Sequence, residues 1–139
     1  MRFWLDTEFN EFRGALISMA LVADDGREWY EAIPCKNPGP WVAQNVMPII
    51  GKTPLRDRLE LALSLRDFLR QFETVHIVAD WPEDISHFCN ALIVGPGQRI
   101  DTPPLSFEVR RDLPNTADIS LIPHNALEDA RALAAIGRG

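Results

Sequence analysis

Two cysteines, Cys35 and Cys89, are the whole thiol content of this 139-residue chain. That is too few for a disulfide framework, and their separation is not that of a metal-binding pair. No apolar run approaches the roughly 18–20 residues that a membrane span needs. The N-terminus also lacks a basic stretch followed by an apolar one. A reduced, cytoplasmic protein without a membrane partner is the expectation. Positive charge is in deficit as well: 14 Lys and Arg face 20 Asp and Glu, for a net charge of −6. Global electrostatics therefore give no argument for a polyanionic partner, and any such argument must be local. Internal repeats and low-complexity tracts are missing too. A single domain over residues 1–139 is expected.

What is present is an ordinary globular balance, 46% hydrophobic and 24% charged, in a chain long enough to bury a core. Residues 2–6 and 15–23 read as apolar strands, and Asp24-Asp25-Gly26 turns the second into a third at 29–33. Proline and glycine crowd the segment from Pro34 to Pro54, which predicts a loop with one short helix. Residues 55–72 carry leucines and phenylalanines among charged residues at helical spacing, and 75–79 is a fourth strand. Asp80-Trp81-Pro82-Glu83 fits a capping box and predicts a helix over 81–92, ended by Gly95-Pro96-Gly97. A fifth strand over 105–110 and a last helix over 126–136 complete a β-β-β-α-β-α-β-α order, an α/β fold.

Carboxylates sit where such a fold has no structural use for them. Asp6 and Glu8 close the first strand and, two residues apart, project to the same face, where like charges repel unless a cation lies between them. In the last helix Asn125 is the cap and Glu128 the third helical position. His124 and Asp129 then fall at the two places brought together across the first turn. Asp84 takes the corresponding place in the 81–92 helix, with Asp80 as its cap. Four acids meeting in a small volume call for two divalent ions, and hard oxygen ligands select Mg²⁺ or Mn²⁺. Two such ions about 4 Å apart suit in-line displacement at phosphorus, with a histidine to take the proton from water.

These residues resemble the DEDD exonucleases of the RNase H-like superfamily, in the subgroup (DEDDh) whose last motif is His, four residues, then Asp. Asp6-Thr7-Glu8 looks like the first motif and His124-Asn125-Ala126-Leu127-Glu128-Asp129 like the third. RNase T and oligoribonuclease share the pattern, and the nearest likeness is to a compact bacterial branch of 3′-to-5′ exoribonucleases. The resemblance implies a three-layer fold around a mixed five-stranded sheet, with His124, Asp6, Glu8, Asp84 and Asp129 catalytic and the four acids holding the metals. For the second motif Asp84 is preferred over Asp80, whose spacing is one residue short. Phe9 and Asn125 are the implied substrate contacts, although Phe9 serves core packing equally well, and Trp41 is a candidate for the groove rim. The implied partner is a single-stranded 3′ end, RNA ahead of DNA, and the short chain suggests a homodimer. A binding module of the same fold without chemistry is the competing reading.

Overall fold

The computed structural model describes residues 1–137. Strands β1 (Arg2–Phe9), β2 (Leu16–Ala23) and β3 (Glu28–Ala32) form an antiparallel meander. Helix α1 (Pro40–Asn45), a 3₁₀ turn (Met47–Ile49) and helix α2 (Arg58–Leu69) lead to β4 (Val75–Ala79). Helix α3 (Pro82–Leu92), a small hairpin of β5 (Ile93–Gly95) and β6 (Gln98–Arg99), strand β7 (Leu105–Val109), a second 3₁₀ turn (Thr116–Asp118) and helix α4 (Ala126–Gly137) follow. The main sheet has the order β3-β2-β1-β4-β7, with β4 parallel to both β1 and β7. It is the expected α/β architecture, a mixed five-stranded sheet between helical layers, as in RNase H-like folds.

Both faces of the central strands are covered, which is why β2 is buried along its entire length and reads as an unbroken apolar run. On one face Phe3, Leu5, Met19 and Leu21 pack with Leu61, Leu65 and Phe68 of α2 and with Phe88 of α3. On the other, Trp4, Ala20, Val22 and Val78 receive Ala126, Ala130, Leu133 and Ala134 of α4. Small residues along α4 let it approach closely: a Cβ placed on Gly137 would fall 1.9 Å from the Trp4 ring. Among the described residues no helix is long and apolar enough to cross a membrane. Cys35 and Cys89 are both free thiols, as expected.

Two local expectations are corrected. Helix α3 is capped at Trp81 with no side-chain hydrogen bond, so Asp80 is not its cap. Pro82 decides this: its fixed φ and missing N–H favour the first helical position, which places the cap one residue after Asp80. Asp84 is consequently the third helical residue rather than the fourth. The hairpin of β5 and β6 was not expected either; it turns through Gly97, at φ +64°.

Candidate active site

Parallel pairing of β1 with β4 sets Trp4 opposite Val78. The same register, continued past the last paired residue, brings Asp6, in the second half of β1, level with Asp80, just past the C-terminal end of β4. Such ends open onto a crevice in α/β sheets. The α3 helix starts directly behind it and supplies Asp84, whose Oδ1 accepts a hydrogen bond from the Thr7 hydroxyl at 2.6 Å. Helix α4 supplies the other wall. Its cap is the one the sequence indicated, with the Asn125 side-chain oxygen accepting from the Glu128 N–H at 3.0 Å. The Asn125 amide nitrogen donates to the carbonyls of Ile49 (2.8 Å) and Ile50 (3.3 Å), locking the helix start against the 3₁₀ turn.

The acids converge. Carboxylate oxygens of Asp6, Glu8 and Asp129 lie within 4.8 Å of one another, and so do those of Asp6, Asp80 and Asp84. Asp6 is common to both groups. Asp6, Asp84 and Asp129 are only 7%, 3% and 4% exposed, and among the described residues no lysine or arginine lines the cleft of about 280 Å³ that they share. Burial, reinforced by Asp84 and Glu8, holds Asp6 well above the usual carboxylate range. Glu8 is pushed up to about 9 by burial and by Asp129. Asp84 rises to about 8 through burial, against the opposing Thr7 hydroxyl, and burial raises Asp129 and Asp80.

Two of these oxygens, Asp6 Oδ2 and Asp129 Oδ1, are buried with no hydrogen-bond donor among the described residues. Buried polar atoms are satisfied as a rule, so orphaned acceptors within an acidic cluster fit a bound cation. An all-oxygen donor set with one shared carboxylate suits a pair of hard divalent ions such as Mg²⁺ or Mn²⁺.

His124 and Asp129 are adjacent as expected, though the contact runs through the backbone: the His124 N–H donates to Asp129 Oδ2 at 3.3 Å. His124 adopts φ +73°, unusual for a non-glycine residue. Its ring meets the edge of Trp41 at a centroid distance of 4.9 Å, and Trp41 is 54% exposed at the rim. Phe9 lines the cleft and stacks on His87 at 4.7 Å. Beyond that pair lies a larger cavity of about 600 Å³, lined in part by Phe12, Arg13, Arg58 and His87. The remaining histidine, His76, bonds to Ser106 and Glu108 away from the cleft.

No family model matches the chain. Two curated proteins of Mycobacterium tuberculosis, from strains CDC 1551 and H37Rv, each carry the name 3′-5′ exoribonuclease. Each is 32% identical to this chain over 147 aligned positions, covering 94% of it and 88% of the relative. The chain belongs to this exoribonuclease family.

Within that family membership, the structure separates the expected site residues into two groups. Asp6, Glu8, Asp84, His124 and Asp129 line one cleft, with Phe9 beside them. Asn125 is buried, and both ends of its amide are bonded to the protein. Sequence reasoning missed the cleft lining from Asn115 to Ala117 and the exposed Trp81. Nothing local marks a polar loop as facing a site. Trp81 stands at the cap of α3 and is 53% exposed.

Proposed function

We propose that the chain is a metal-dependent 3′-to-5′ exoribonuclease of the DEDDh type, releasing mononucleotides from single-stranded 3′ ends with two Mg²⁺ or Mn²⁺ ions per site. The observation that carries this reading is the meeting of Asp6 and Glu8 with Asp129, beside Asp84, around buried oxygens that lack donors. The relatives' name supports RNA as substrate and the direction of digestion. A module that merely binds would gain nothing from holding such repelling groups together.

Asp6, Glu8 and Asp129 would hold one ion, and Asp6 with Asp84 the other. When bound, the ions supply the charge that activates water and stabilises the departing 3′ oxygen at phosphorus. His124 accepts the proton from that water at an imidazole nitrogen, its ring steadied by the Trp41 edge. Phe9, backed by His87, offers its ring to the terminal base. Thr7 fixes Asp84 through its hydroxyl. Arg13 and Arg58, in the adjoining cavity, lie where the strand leading to the scissile end can pass. A homodimer is part of the reading, because a chain of net charge −6 gains from sharing cations with a second copy.

The test uses single-stranded RNA and DNA labelled at either end, with Mn²⁺, Mg²⁺ or EDTA. Stepwise shortening from the 3′ end, abolished by EDTA and faster on RNA, is the expected result. Internal cuts, or cleavage indifferent to EDTA, overturn the proposal. Light scattering that gives the mass of one chain removes the dimer.

A further inference from the structure

We infer that Asp80 is a fifth metal-ligating carboxylate of the site, completing with Asp6 and Asp84 a seat that takes its cation before RNA arrives. The inference rests on the two-ion reading above and adds to it a residue and an order of binding.

Asp80 caps no helix and pairs with no cation among the described residues; the hydrogen bond at its carboxylate comes from its own backbone N–H. It stands one residue past the end of β4 and does not cap α3, whose cap is Trp81. Among the described residues no hydrogen bond or ion pair to another side chain engages its carboxylate. It is half-buried in the cleft, and its oxygens lie within 4.8 Å of those of Asp6 and Asp84. A solvated surface acid would turn outward; a third carboxylate pointing at two others in a partly desolvated pocket is repelled unless a cation is there to be shared. Independently, Asp6 Oδ2 is buried and has no donor among the described residues, in a residue only 7% exposed.

The ligand supply of the two seats then differs from that of a four-acid site. Glu8, Asp129 and Asp6 give the first seat three carboxylates. Without Asp80, the second has the shared Asp6 and an Asp84 with one oxygen already engaged by Thr7. Small divalent ions held by only one or two carboxylates keep several waters and depend on substrate phosphate for the rest of their shell. With Asp80 the second seat also presents three carboxylates, so its ion does not wait for a phosphate. Five carboxylates against two divalent ions also leave the loaded site with residual negative charge, which favours retention of both ions.

The experiment is a Mn²⁺ titration of the RNA-free protein by calorimetry, with electron paramagnetic resonance counting bound ions and circular dichroism verifying the fold of each variant. The wild type takes up two Mn²⁺ per chain. Asp80→Asn keeps one at wild-type affinity and binds the other at least tenfold more weakly, and added adenosine monophosphate, whose phosphate can fill the shell, recovers much of that loss. His124→Ala, the control, keeps both. Two ions bound by Asp80→Asn at unchanged affinities overturn the role of Asp80, and a wild type that binds a single ion without nucleotide overturns the order of binding; both leave the nuclease reading standing. A wild type that binds no Mn²⁺ at all refutes the metal reading itself.

Discussion

His124 holds a backbone conformation that few side chains accept, with φ at +73°, and its own N–H is tied to Asp129. Strain of this kind costs on the order of 1 kcal/mol and persists where surrounding structure fixes it. Here it aims an imidazole at the cleft without spending the ring on a ligand bond. His124→Ala is expected to lower kcat about a hundredfold or more, as for loss of a general base, with Mn²⁺ affinity preserved. Undiminished turnover would take the histidine out of the mechanism. Asp6→Asn should abolish Mn²⁺ uptake while raising the melting temperature of the metal-free protein at pH 8, because it removes a carboxylate, common to both groups of acids, that the fold must either protonate or hold against its neighbours. A lower melting temperature would show that Asp6 is held by something other than cations. At this scale the sequence was informative where spacing is local. His124, Asn125 and Asp129 are related by one helical turn, and that turn formed. Asp80 was misread because a capping pattern of acid and glutamate is blind to a proline that shifts the helix start by one residue.

Helix α4 is the element that closes the site. Its cap also bonds to the carbonyls of Ile49 and Ile50, so the segment after α1 is tied to the carboxylate wall. Asn125→Ala removes the cap and strands those carbonyls, a loss of about 1–3 kcal/mol. Asn125→Asp keeps the acceptor for Glu128 but not the donor, so a thermal melt should place it between wild type and alanine. Equal stability of all three proteins would mean that the α1 segment does not depend on the bond. The central strands were legible because both of their faces are covered and their apolarity is unbroken, as in β2, or bounded by a turn such as Gly26, at φ +94°. The β5–β6 hairpin was not, since its residues are mostly exposed and too few to show an alternating pattern.

For the molecule as a whole, buried acidity links stability to pH and to metal. Glu8 and Asp84 have ordinary values of 4.5 and 3.8 but keep their protons in the folded chain up to about 9 and 8. Between those limits the folded state binds more protons than the unfolded one. The contribution to stability is therefore full below about pH 4 and is lost as pH climbs through 8 to 9. The melting temperature of the EDTA-treated protein should fall across that interval, and one that rises with pH contradicts the assignment. Saturating Mn²⁺ at a hundredfold excess over Kd adds about 2.7 kcal/mol per ion, roughly 10 °C for a chain of this size, and should flatten the alkaline decline. The sheet order follows from short connections and parallel crossovers, whereas the meeting of distant acids is a property of the closed fold that no local pattern specifies.

The cleft joins residue 6 to residue 129 across the α4 interface with Trp4. A polypeptide still emerging from the ribosome thus carries Asp6, Glu8 and Asp84 long before it carries the histidine and the closing aspartate. On the proposed reading the site lacks His124 and Asp129 until α4 docks against Trp4, so cleavage would require the folded C-terminal helix.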